Sequence, residues 1–176
     1  LTDEEIVSQC ALLLLAGNLT TTDMIGNGVR ALLEHPDQLA KLRDNPDVIE
    51  DAVEEVLRYD SPVLNSGRIT HERTEIQGCP VEKGECLHVS LAAANHDPAV
   101  YTDPEKFDIE RPRIQHQSFG GGRHHCLGAF LARLEGQIAI LGLVQRFPGL
   151  AMSERGFAQK LAPEFRGMTH CWLTTG

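Results

Sequence analysis

No apolar run in this 176-residue chain is long enough to cross a bilayer. The longest, residues 10–17, falls far short of the roughly 20 residues that a spanning helix needs. A secretory leader is also missing: the N-terminus Leu1-Thr2-Asp3-Glu4-Glu5 is acidic and reads as a helix start. The chain lacks an initiating Met, which suits a fragment or a processed product. Its five cysteines are odd in number and irregular in spacing, so no disulfide framework is expected. Reduced thiols point to the cytoplasm. There is no basic excess either. The net charge of −9 argues against nucleic acid as a partner. Internal repeats and low-complexity segments are absent.

What remains is an ordinary globular composition, 41% hydrophobic and 23% charged, of a length that suits one domain. The acidity is uneven. Residues 1–60 hold 13 acids and 4 Lys/Arg, whereas the rest of the chain is balanced. Solvated helix faces account for that third.

Thr2 and Glu5 form a capping box, so a long helix is expected from there to about Leu33. Its middle, Ala16-Gly17-Asn18-Leu19-Thr20-Thr21-Thr22, is poor in helix formers. Pro36 and Pro46 open shorter helices, the second running to about Tyr59, and Pro62 stops it. Residues 63–89 read as short strands with turns at Gly67, Gly78-Cys79-Pro80 and Lys83-Gly84. Residues 95–117 read as a long ordered loop, a kind that usually serves function. Residues 127–147 are helical, with Leu127, Phe130, Leu131, Leu134, Ile138 and Leu141 at three-to-four spacing. Two or three short strands follow Pro148-Gly149.

The strongest chemical signal is Phe119-Gly120-Gly121-Gly122-Arg123-His124-His125-Cys126-Leu127-Gly128. Its glycines let the backbone turn sharply and come close to a flat ligand. Cys126 stands just before a helix, whose N-terminal dipole and free amides favour an anionic sulfur. A zinc site from His116, His124, His125 and Cys126 is an alternative, though adjacent ligands are poor spacing without a second cluster. A phosphate loop is weaker, because no Gly-Lys-Ser/Thr follows. Glu55-Val56-Leu57-Arg58 puts two opposite charges on one helix face. Read alone, it is an ordinary surface pair. Cys79 and Cys86 flank an expected hairpin and are read as reduced thiols.

Together these strings resemble the cytochrome P-450 superfamily. Phe119, Gly122, His124, Cys126 and Gly128 fill every specified place of its haem-binding loop, Phe-x-x-Gly-x-(Arg/His)-x-Cys-x-Gly. Glu55 and Arg58 match its Glu-x-x-Arg, a buried pair joined by an Arg from the loop ahead of the haem. Arg111 fits that part better than Lys106, because Arg forks onto a carboxylate. Ala16, Gly17 and Thr20 match its oxygen-activating helix segment, although Leu19 stands where an acid is usual. Asn18 or Asp23 could then hold a replacing water chain. Asn65-Ser66-Gly67-Arg68 resembles the strand whose Arg pairs a haem propionate.

The resemblance covers essentially the whole chain and implies the C-terminal part of a single domain, residues 1–176. The implied fold is mostly α (α+β), a helical core with small β-sheets. The implied cofactor is haem b (iron protoporphyrin IX). Cys126 would be the iron ligand, whose thiolate pushes electron density onto the iron and favours O–O cleavage. Thr20 would organise dioxygen and protons, and Arg68 and His124 would clamp the propionates. Phe119, Gly120, Gly122, Gly128, Ala16 and Gly17 would also border the haem. Val63, Leu64, Asn65, Glu164 and Phe165 would line the substrate pocket, and Glu55, Arg58 and Arg111 would be scaffold. The implied activity inserts one oxygen atom of dioxygen into a small apolar substrate, with a ferredoxin-type or flavin electron donor. Arg111, Arg113, His116, Arg123, His125 and Arg133 gather in sequence around Cys126, as a docking patch for an acidic donor would. A chain lacking the family's N-terminal half is not expected to be competent alone. The alternative is a non-catalytic truncated remnant.

Overall fold

The computed structural model describes residues 1–112 and 115–176. Helix α1, Asp3–Glu34, begins at the expected capping box. The Glu5 amide donates to the Thr2 hydroxyl at 3.2 Å, and the Thr2 amide donates back to the Glu5 carboxylate at 2.8 Å. The Thr run does not break this helix. The Thr20 and Thr22 hydroxyls donate to the carbonyls of Ala16 and Asn18, each at 2.8 Å, so both are satisfied within it.

Pro36 starts α2, Pro36–Asp44, in the first turn, where a missing N–H costs nothing. Pro46 opens a 3₁₀ turn, Pro46–Val48, that runs into α3, Ile49–Tyr59. Two small antiparallel sheets follow. Strand β1, Asn65–Ile69, pairs with β4, Cys86–Ser90, and β2, Thr74–Ile76, pairs with β3, Cys79–Val81. The β2–β3 turn is Gln77-Gly78, both at positive φ (49° and 83°), as a two-residue hairpin requires. Gly67 makes no turn. It lies inside β1 opposite His88.

A five-residue helix, α4, Leu91–Asn95, precedes the long loop and was not expected. That loop is ordered by its own buried side chains, Tyr101, Phe107 and Ile109. Helix α5, Ala129–Arg146, and the hairpin of β5, Ala151–Gln159, with β6, Met168–Thr174, complete the chain. The expected mostly α (α+β) architecture is what the chain adopts.

The core joins the second half of α1 to α3 and α5 through Met24, Leu32, Val53, Val56, Leu57, Ile140 and Val144. Small residues set the spacing. A Cβ on Gly28 would come within 2.8 Å of Ile140 Cδ1 and 3.0 Å of Val56 Cγ1. Gly28→Ala is therefore expected to lower stability by about 1–3 kcal/mol, the usual cost of overpacking. Thermal melting checks this, and an unchanged midpoint would mean that the helices part freely.

The apolar stripe of α5 needs correcting. Leu127 lies ahead of the helix and is 89% exposed, Phe130 is 85% exposed, and Leu131, Leu134 and Ile138 are also exposed. The face that α5 buries carries Ala129, Gly136, Ile140 and Val144. A helix apolar on both faces belongs inside a larger body. The first half of α1 exposes Ile6, Val7 and Leu12 through Leu15 in the same way.

Candidate functional site

The glycine-rich loop is closed by three backbone bonds. The Gly120 amide donates to the Gln117 carbonyl at 2.8 Å, Cys126 to Phe119 at 2.9 Å, and His125 to Gly122 at 3.1 Å. Gly120 and Gly122 hold φ of 65° and 62°, a region that side-chain-bearing residues rarely adopt. Cys126 leaves this loop three residues before α5 begins.

Facing the loop across a cavity of about 370 Å³ is α1, which contributes Ala16, Gly17, Thr20, Thr21 and Met24. Cys126, Phe119, Gly120, His124 and Gly128 form the opposite wall, and Val63, Asn65, Ser66 and Arg68 close one side. The structure thus brings one thiol, one helical Gly-Thr segment and two basic side chains to a single cavity.

The Arg68 guanidinium donates to the Ser66 hydroxyl at 2.6 Å and the Gly67 carbonyl at 2.7 Å, folded back on its own strand. A Cβ on Gly17 would meet nothing within 4 Å, so α1 leaves open space there. These features fit a flat group ligated from the loop side and anionic at its edge. That is the character of haem.

Not every expected residue reaches this cavity. Gly122 of the loop is not on its wall, and neither are Leu64, Glu164 and Phe165. The last three stand beside it, where Val63 bridges Phe165 and the Leu64 amide donates to the Glu164 carbonyl at 3.0 Å. Leu19 and Asn18 also lie off the wall. Asp23 faces elsewhere: its carboxylate pairs with Lys160, and a Cβ on Gly167 would collide with it. Glu135, Leu131 and Ala132 do line the cavity and were not anticipated. Their signal was the helical spacing that carries one face of α5 onward from Gly128.

The scaffold pair is buried, at 3% exposure for both Glu55 and Arg58. Arg58 forks onto Glu55 with two bonds of 2.8 Å, and its remaining hydrogens go to the carbonyls of Asn95, Pro104 and Lys106. Arg111 Nε reaches Glu55 Oε1 at 3.2 Å. Lys106 pairs with Asp108 at the surface instead.

A second cluster was not foreseen. Arg133 forks onto Glu54 at 2.6 and 3.0 Å, and His116 Nε2 lies 3.2 Å from Glu54 Oε2. Burial works to raise the Glu54 pKa, but the bonds and charges of His116 and Arg133 outweigh it and hold the group at about 2, below its ordinary 4.5. A depressed carboxylate stabilises the fold fully above its unfolded pKa and stops doing so as pH falls through its folded one. Acid titration of stability from 4.5 down to 2 should therefore be shallower in Glu54→Gln than in wild type. Parallel curves in urea melts would contradict this.

These pairings also revise the basic patch. Arg111, His116 and Arg133 are engaged with Glu55 or Glu54, and Arg113 lies outside the described residues. Arg123 and His125 remain exposed beside Cys126. Among the described residues no three His, Cys, Asp or Glu side chains gather as a metal-binding group, which leaves the zinc alternative without a site. All five cysteines, Cys79 and Cys86 included, are free thiols. No helix among the described residues is long and apolar enough to cross a membrane.

Comparison with known proteins agrees with this geometry. The cytochrome P450 family model matches residues 1–165. The biotin biosynthesis cytochrome P450 of Bacillus subtilis (strain 168) is 51% identical over 154 residues, covering 88% of this chain and 39% of that protein. The cytochrome P450 monooxygenase PikC of Streptomyces venezuelae is 44% identical, covering 86% of this chain and 37% of that protein. Among solved structures, P450BioI in complex with hexadec-9Z-enoic acid ligated acyl carrier protein superposes with a TM-score of 0.96 at 46% identity. It covers 100% of this chain and 46% of its own. CYP109E1 from Bacillus megaterium in complex with corticosterone gives 0.95 at 36% identity, covering 99% of this chain and 48% of its own. The chain thus spans less than half the length of the relatives it matches. With its loop and its α1 segment facing one cavity and its Glu55–Arg58 pair buried, the chain belongs to the cytochrome P450 family.

Proposed function

We propose that the full-length protein carrying this chain is a haem-thiolate monooxygenase that inserts one oxygen atom of dioxygen into a small apolar substrate. The observation that carries this is the single cavity shared by Cys126, Thr20, Arg68 and His124. Bound haem b would supply the activation of dioxygen, with electrons from a ferredoxin-type or flavin donor.

Cys126 Sγ would hold the iron. Arg68 would leave Ser66 and Gly67 to pair a propionate, with His124 as the second partner; such charge-assisted bonds contribute about 1.5–3 kcal/mol each. Phe119, Gly120, Gly122 and Gly128 would border the haem on the loop side, and Ala16 and Gly17 on the helix side. Thr20 Oγ1 donates to Ala16, which leaves its lone pairs free to accept from a water or a bound guest. By turning its hydroxyl hydrogen it could pass a proton inward. Leu19 cannot, and Asp23 is committed to Lys160. With Asn18 also off the cavity wall, that leaves the Thr20 hydroxyl, with a water it would hold, as the relay.

Val63 and Asn65 would touch the substrate first, with Leu64, Glu164 and Phe165 farther along the same side. The related structures hold a fatty acyl chain on its carrier protein and a steroid, both largely apolar. A cavity walled by Val63, Leu91, Leu131 and Met24 suits such a carbon skeleton. Arg123 and His125 would meet the electron donor. The setting is the cytoplasm, where five free thiols stay reduced.

A second reading, a non-catalytic truncated remnant, is favoured for the 176 residues alone by the uncovered apolar faces of α1 and α5. Turnover under ¹⁸O₂ tests the first reading. The full-length protein should place one labelled oxygen in its product while consuming reduced nicotinamide through the donor. Product without label would refute it.

A further inference from the structure

Beyond the iron ligand, we propose that Glu54 is a positioning residue that fixes the Cys126 loop by locking the ring of Phe119 between Arg133 and His116. The Arg133 guanidinium lies 4.5 Å from the Phe119 ring centroid, a cation–π contact. The His116 ring is 5.8 Å from the same ring. Glu54 holds both neighbours: its two oxygens take the Arg133 fork, and one also faces His116 Nε2. A fork onto a carboxylate fixes the plane of the guanidinium, and so the face it presents to Phe119.

His116 is held at its other nitrogen too. The Ser118 amide donates to Nδ1 at 3.2 Å, so Nδ1 accepts and the hydrogen sits on Nε2, aimed at Glu54. The ring cannot turn without breaking a bond at one side or the other. Ser118 itself is anchored. Its hydroxyl donates to the Leu57 carbonyl of α3 at 2.6 Å and accepts from Asn95 at 2.8 Å. Phe119 passes the restraint on, because its carbonyl accepts the Cys126 amide at 2.9 Å. Glu54 on α3, Arg133 on α5 and His116 on the loop therefore converge on the residue from which Cys126 hangs. The neighbouring Glu55 serves a different set, Arg58 and Arg111.

The proposal rests on Cys126 as haem ligand, and its test separates the two ideas. Amide hydrogen exchange would be followed by mass spectrometry on the full-length protein. Glu54→Gln keeps the shape and removes the charge. Loss of the charge-assisted fork should speed exchange in residues 117–127 by about tenfold or more, with α1 and the first turns of α3 unchanged. Arg133→Lys keeps the charge without the fork and should show the same confined effect, more weakly. It also serves if Glu54→Gln fails to fold. The ferrous-CO spectrum is the second readout, and the thiolate-type fraction should fall in both variants relative to wild type. Unchanged loop exchange, or exchange raised evenly through the whole protein, would overturn the positioning role. A wild type without any thiolate-type band would overturn the ligand reading, while loop exchange would still decide the clamp.

Discussion

Glu55→Ala is expected to yield no folded haem protein. Arg58 is 3% exposed, and both of its charged partner bonds go to Glu55. Taking the carboxylate away leaves that guanidinium buried without a counter-charge, and strands Arg111 beside it. Removing one partner of a buried pair costs about 3–5 kcal/mol, a large share of a domain's whole stability. The loss is not confined to charge. Glu55 Oε1 also accepts the Asp108 amide at 3.0 Å, and Arg58 holds the carbonyls of Asn95, Pro104 and Lys106. These bonds tie α3 to the long loop that leads to Cys126. Glu55→Gln keeps the shape and should be less damaging than Glu55→Ala, though still well below wild type. Soluble yield, haem content and melting of the purified variants check this. Wild-type values for Glu55→Ala would show that the loop is held by something else.

Local rules read well from the sequence where a single turn or cap decides the outcome. The Thr2–Glu5 capping box and the prolines at 36 and 46 act within one helical turn, and they mark the starts of α1, of α2 and of the 3₁₀ turn that runs into α3. The Cys126 loop is legible for a similar reason, since its glycines and its Cys lie within ten consecutive residues. Burial is less local. In α5, both faces are apolar, so spacing alone could not tell which one meets α1 and α3. The close approaches at Gly28 and Gly136 decide it, and they depend on partners far away in sequence.

Tertiary pairing also explains why the Glu54 cluster escaped notice. Glu54 meets residues 62 and 79 positions away, and no period in the chain records that. Read by position alone, His116 and Arg133 looked like members of a surface patch. Gly67 misled in another way. Glycine suggests a turn, but here it sits within a paired edge strand, where nothing comes within 4 Å of a Cβ. Helix α4 is a single turn made by Ala92, Ala93 and Ala94 behind the Ser90 cap, too short for periodicity to reveal.

The largest spectroscopic effect is expected at Cys126. It is the one cysteine on the cavity wall, opposite Thr20 and between Phe119 and Gly128. Cys171 belongs to β6, and Cys10, Cys79 and Cys86 lie on other elements, so no other cysteine thiol stands on this wall to replace it. Serine preserves size but offers a hard, weakly acidic oxygen in place of a soft thiolate, which changes the electron density given to the iron. Because Cys126 contributes its amide rather than its side chain to the loop, Cys126→Ser should leave the fold intact. The decisive measurement is the ferrous-CO difference spectrum of the full-length protein beside Cys126→Ser, at matched haem content. Wild type should show the thiolate-type band, and Cys126→Ser should lose it completely. An unchanged thiolate-type band in Cys126→Ser would contradict the account.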